Sequence, residues 1–191
     1  MSGIEHTEAP VAAALDRMIL LLMLVILAAI LSAAMVLQYA FGEIPRPLCL
    51  LQRFAMFGCC FGIARQLRSG TCERGTGISL IFTILLLVVS VRQTLLDLFP
   101  RPGHEYVGSA IFGIHMPVWS VFIAAGLLLG FAIRLALFGG LNSAPEMGST
   151  LRRFAQGVVI YVVFICAINF LSVVVQCGMG ECHTSGYQLL P

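Results

Sequence analysis

Five long apolar runs dominate this chain, at Met18–Tyr39, Leu48–Ala64, Ile78–Leu98, Pro117–Phe138 and Phe154–Val175. Roughly 20 apolar residues cross a bilayer as a helix at about 1.5 Å per residue. Inside hydrocarbon no water is present to satisfy backbone N–H and C=O groups, so a helix must satisfy its own. Composition points the same way. Of 191 residues, 59% are hydrophobic and only 10% charged, with a mean hydropathy of +0.98. A soluble domain carries about 25% charged residues. The chain is therefore predicted to be an all-α integral membrane protein.

Arginine placement orients the spans. All eleven basic residues are arginine. With the N-terminus in the cytoplasm, that side carries Arg17, Arg65, Arg68, Arg74, Arg134, Arg152 and Arg153. The opposite loops then carry only Arg46 and Arg101, and Arg53 and Arg92 fall inside spans. This positive-inside bias sets the loops at 40–47 and 99–116, with the tail from Gln176, outside. In a bacterium that means a multi-pass inner (cytoplasmic) membrane protein with a periplasmic C-terminus. Residues 1–15 are short and polar and are predicted to be poorly ordered. The long core and nearly neutral flank of the first run favour a retained anchor over a cleaved signal. No basic run or aromatic ladder suggests nucleic acid.

The membrane side decides what each of the seven cysteines can do. Cys59, Cys60 and Cys166 fall in mid-span and read as small packing residues. Cys72 falls in a reducing cytoplasmic loop. Cys49, Cys177 and Cys182 fall at or beyond the outer face, where disulfides form and persist. Three thiols leave at least one unpaired or joined to another chain.

The candidate site lies in Pro45-Arg46-Pro47-Leu48-Cys49-Leu50-Leu51-Gln52-Arg53, where a stiff loop runs into the second span. Cys49, Gln52 and Arg53 stand at i, i+3 and i+4 and are predicted to share one helix face. The first turn of a helix favours negative charge, and a cation one turn below adds to that, which suits a nucleophilic thiolate. Arg53 lies about 6 Å deeper than Cys49 at helical rise. An ionisable group inside a span is a functional-site hypothesis by default. The third span points Arg92 and Gln93 at the same face, with Asp97 four residues beyond Gln93. Two arginines and two glutamines at one depth suit a quinone, whose tail lies in lipid and whose carbonyls need donors. The competing expectation is that Arg53 and Arg92 snorkel to the interface and pair with Glu43 or Asp97.

The tail Gln176-Cys177-Gly178-Met179-Gly180-Glu181-Cys182-His183 is open to three uses. Its glycines let Cys177 and Cys182 approach one another as a structural clasp or as an exchangeable redox pair. A soft-metal site using both thiols with Met179 and His183 is a third.

These motifs resemble those of the DsbB-type disulfide bond formation family. PLCLLQRFAMFG resembles the start of its second helix, SVRQTLLDLFP the end of its third, and GIHMPVWSVF the start of its fourth. The three occur in order over roughly residues 18–138. The resemblance implies a four-helix transmembrane bundle, here followed by a fifth helix. The corresponding units are a cytoplasmic segment 1–17, the bundle 18–138, a linker 139–153, the fifth helix 154–175 and a periplasmic tail 176–191. It also implies an enzyme passing electrons from a periplasmic thiol-oxidase-like protein, or another dithiol client, to ubiquinone or menaquinone. Cys49 takes the position of the quinone-side thiol and Arg53 that of the quinone-binding arginine. Arg46 stands where the first thiol of the family's CxxC belongs, and 99–116 contains no cysteine. Either Cys177 and Cys182 supply the missing thiols, or the bundle persists as a quinone-binding or structural subunit of a larger membrane complex.

Overall fold

Each predicted run forms a helix, and each helix extends past the run that specifies it. The computed structural model describes residues 5–40, 47–69, 73–99, 110–111, 113–139 and 148–177. The helices are α1 (Glu5–Ala40), α2 (Pro47–Ser69), α3 (Glu73–Leu98), α4 (Met116–Phe138) and α5 (Ser149–Cys177). All five are long and apolar enough to cross a membrane. Glu43, Arg46, Cys72, Arg101, Met179, Cys182 and His183 lie outside the described residues.

One expectation is corrected at the N-terminus. Residues 1–15 do not stay unstructured as a block, because α1 begins at Glu5. The Ala12-Ala13-Ala14-Leu15 stretch has high helix propensity and extends the span's hydrogen-bond ladder backwards. A short element precedes α4, where β1 (Ala110–Ile111) and β2 (Ile114–His115) pair antiparallel through a turn that holds Gly113 at φ 76°. That φ suits glycine, which has no Cβ to clash. Pro117 then sits in the first turn of α4, where its missing N–H costs nothing.

The helices alternate in direction. α3 packs between α2 and α4, α1 closes the ring against α2 and α4, and α5 docks on α1 and α2. The core is polar to an extent that a soluble bundle would not tolerate. Gln38, Gln52, Gln66, Ser79, Thr83, Ser90, Gln93, Asn169 and Ser172 are all buried, while Phe54, Phe61, Val88, Phe122 and Ile160 are exposed. Lipid rewards this pattern, since packing and interhelical hydrogen bonds hold the helices where no hydrophobic drive separates core from surface.

The closest approach is between α2 and α3. A Cβ on Gly62 would collide with Ser79 Oγ and lie 2.7 Å from the carbonyl oxygen of Gly75. One on Gly75 would lie 3.0 Å from the carbonyl oxygen of Gly62. The two glycines let the backbones meet. Gly62→Val is therefore expected to cost about 1–3 kcal/mol, the usual range for overpacking. Thermal melts in detergent check this, with Gly126→Ala as the neutral control because nothing lies within 4 Å of its Cβ position.

Near one end of the bundle, four helices share a buried polar cluster. The Arg134 guanidinium on α4 meets both carboxylate oxygens of Asp16 on α1, with Nη2 donating to Oδ2 at 3.1 Å. Its Nη1 donates to Thr76 Oγ1 on α3 at 3.1 Å, and Thr76 donates to Gln66 Oε1 on α2 at 3.0 Å. Arg134 reads in the sequence as a flanking charge in the last turn. In the fold it is 5% exposed and Asp16 1%.

Candidate functional site at the thiol end

Cys49 lies in the first turn of α2, at the end opposite the Asp16–Arg134 pair, and its thiol is free and half-buried. Gln93 on α3 donates from Nε2 to the Cys49 sulfur at 3.1 Å. This places an amide donor directly on the atom that would carry charge as a thiolate. Gln93 Oε1, on the same side chain, is buried and has no hydrogen-bond partner among the described residues. An unsatisfied buried acceptor is uncommon and costs about 1–3 kcal/mol. One turn deeper on α2, Gln52 donates from Nε2 to Ser90 Oγ on α3 at 3.1 Å. Its Oε1 accepts from Ser120 Oγ on α4 at 3.4 Å. Cys49, Gln52 and Gln93 thus form one polar seam joining α2, α3 and α4.

Arg53 belongs to a different seam. It is 8% exposed, and Nη1 donates to Gln38 Oε1 on α1 at 2.7 Å and to Asn169 Oδ1 on α5 at 3.4 Å. Nη2 donates to the Ala34 carbonyl at 3.2 Å. Gln38 in turn donates to Ser172 Oγ at 2.8 Å, and Tyr39 donates to the same hydroxyl at 3.0 Å. Further along, Ser32 Oγ and Tyr161 Oη are 2.6 Å apart. These contacts run along α1 and α5 like a zipper, with Arg53 clamping α2 to both. The expected single face of Cys49, Gln52 and Arg53 is therefore split. Adjacent residues on a helix diverge by about 100°, and that angle sends Gln52 and Arg53 into neighbouring grooves.

Arg92 does not join either seam. It is exposed on the flank of α3 while its neighbour Gln93 turns inward. The helix end bearing Cys177 reaches the thiol end of the bundle, but the Cys177 side chain and Cys182 lie outside the described residues. Gln38, Ser90, Ser120 and Asn169 went unread in the sequence. The available signal was a polar side chain standing alone in an apolar run, strongest for Asn169. Deeper in the bundle, Cys59 is fully buried, 3.3 Å from Thr83 Oγ1. Among the described residues, no group of three or more His, Cys, Asp or Glu side chains stands ready to hold a metal ion.

A quinone at this end would have to match the donors and acceptors present. The orphaned Gln93 Oε1 is an acceptor, so it complements a quinol hydroxyl. With the amide turned over, Nε2 would face a quinone carbonyl and Oε1 the Cys49 S–H.

Residues 16–105 match the family model described as disulfide bond formation protein DsbB. The matched stretch contains Cys49, Gln52, Arg53, Arg92 and Gln93, and it ends before α4 and α5. No curated protein and no solved structure matches the chain. The match covers the helices that carry the thiol and the amide beside it, slightly under half of the chain: over residues 16–105 this bundle of five helices long and apolar enough to cross a membrane is similar to the disulfide bond formation protein DsbB family.

Proposed function

We propose that the chain is a membrane thiol:quinone oxidoreductase of the disulfide-forming type, with Cys49 as the thiol nearest the acceptor. The observation that carries this reading is the Gln93 amide, which donates to the Cys49 sulfur at 3.1 Å and leaves its other end buried and unsatisfied. A bound ubiquinone or menaquinone supplies a two-electron, two-proton acceptor. Cys49 and one tail thiol, Cys177 or Cys182, together lose two electrons and two protons as their S–S bond forms. Exchange with a client dithiol then returns both thiols and leaves the disulfide on the client. Gln93 holds the sulfur, and Gln52 fixes the floor of the seam through Ser90 and Ser120. Arg53 acts through Gln38 and Asn169, as a positioning residue. Arg92, exposed on the flank of α3, is assigned the outer rim of the acceptor in this reading. In this reading the protein lies in a bacterial inner membrane, N-terminus cytoplasmic and tail periplasmic. Its client is a periplasmic thiol-oxidase-like protein.

Acid-quenched thiol trapping in membranes tests it. Under oxidising conditions Cys49 is expected to become protected and joined to a peptide containing Cys177 or Cys182. If Cys49 stays fully alkylatable while Cys177 and Cys182 are always bonded to each other, the relay is wrong. A second reading, a redox-inactive quinone-binding or structural subunit of a larger complex, draws on one observation. Among the described residues, Arg53 hydrogen-bonds to α1 and α5 and ties α2 to both. That reading predicts co-purification with larger membrane subunits and no phenotype for Cys49→Ala.

A further inference from the structure

A second site lies at the opposite end of the bundle, where α1, α2 and α5 meet around a cavity of about 170 Å³. Its polar lining is Arg17, Arg68, Arg152 and Gln156, and its floor includes Leu67 and Ala155. Three arginines thus line it, one from each helix. Among the described residues no carboxylate lines the cavity, and the nearest acid in sequence, Asp16, is already held by Arg134. Arg17 is only 9% exposed, and its Nε is buried without a hydrogen-bond partner. Burying a cationic N–H with nothing to accept from it is costly, and an anion in the cavity would relieve that cost. Arg68 and Arg152 are exposed and form the rim.

We propose that this cavity binds a phosphate group, with Arg17 at its base and Arg68 and Arg152 closing over it. Guanidinium forks match phosphate oxygens in pairs, which favours this anion over a simple halide. The surroundings favour a phosphate attached to lipid. Ile160 and Val163 on α5, each one turn beyond a residue of the lining (Gln156 and Val159), are 69% and 63% exposed. Acyl chains can lie along those side chains while the headgroup enters between the helices. Basic pockets between transmembrane helices bind anionic headgroups in this way. The proposal does not depend on which face of the membrane this end occupies, nor on any redox activity at the thiol end.

The test uses the full chain purified in a neutral detergent. Melting is followed with added phosphatidylglycerol, phosphatidylcholine or inorganic phosphate, and native mass spectrometry counts retained lipid. Phosphatidylglycerol is expected to raise Tm by about 2–4 °C or more, through its preference for the folded state, and to survive as a bound adduct. Phosphatidylcholine should do neither. The Arg68→Gln/Arg152→Gln double variant alters only exposed side chains, so it should fold and lose most of that shift. Arg17→Gln should lose all of it. An equal shift from inorganic phosphate, abolished by the same substitutions, assigns the site to the free anion instead of the lipid. If no anion stabilises the protein, or if the double variant responds as the wild type does, the proposal is overturned.

Discussion

Asp16→Ala is expected to destabilise the protein by about 3–5 kcal/mol, the range for removing one partner of a buried ion pair. The Arg134 guanidinium would keep its hydrogen bond to Thr76 at 3.1 Å but lose both carboxylate oxygens. It is 5% exposed and sits under Thr76 and Gln66, so it cannot reach water without pulling α4 off α1. The loss is larger than a hydrogen-bond count suggests, because a buried charge stays behind. Asp16→Asn should lose less, since a carbonyl oxygen remains to accept from Nε. The double variant Asp16→Val/Arg134→Met should recover much of the stability, since no unpaired charge is left and the summed volume stays close to that of the pair. Unfolding midpoints in detergent for the four proteins decide this. An Asp16→Ala melt equal to that of the wild type would show that the pair does not hold the four helices.

The spans are legible in the sequence because a bilayer demands length and apolarity, and both are local properties. Orientation within each span is not. In a soluble helix the polar stripe marks the outside, whereas here lipid-facing positions such as Phe61 and Val88 are apolar and so is much of the core. With apolar residues on both sides, periodicity carries little information. Single polar residues carry it instead. Gln93 and Arg92 are neighbours in sequence, yet one turns to the Cys49 sulfur and the other away from the bundle. Arg134 reads as one of the loop charges because its partner lies 118 residues earlier, on another helix. The thiol at the start of α2 is readable from its motif. The amide that touches it is readable only as a residue at the right depth. Arg53 also reads at about that depth, but nothing local in sequence assigns it to the α1–α5 groove. Asn169 and Ser172, which complete that groove, lie beyond the family match at 16–105. The fifth helix is therefore built into the polar interior, and the bundle around Arg53 cannot be understood from four helices.

Cys49→Ala is expected to lower dithiol-driven quinone reduction by at least about 100-fold, a barrier increase of about 2.7 kcal/mol. The reasoning is stoichiometric. Two thiols are needed to deliver two electrons, and Cys59, Cys60 and Cys166 lie deep in the spans, away from the thiol end. None of these three reaches the thiol end, where the proposed relay needs its thiol. Stability should hardly change, since the half-buried sulfur accepts one hydrogen bond and fills little core volume. Gln93→Leu separates positioning from reaction. It removes the donor at 3.1 Å and the orphaned acceptor together, so the rate should fall by about tenfold. Cys49 should remain alkylatable in that variant. Gln93→Glu keeps the size and an acceptor but loses the donor. Its quinol-formation rate should fall at least as far as that of Gln93→Leu, because an acceptor then meets the sulfur in place of the N–H donor. Rates of quinol formation, measured alongside alkylation rates, distinguish a reacting group from a positioning one. A Cys49→Ala protein that reduces quinone at the wild-type rate removes Cys49 from the reaction and leaves the structural-subunit reading in possession of the site.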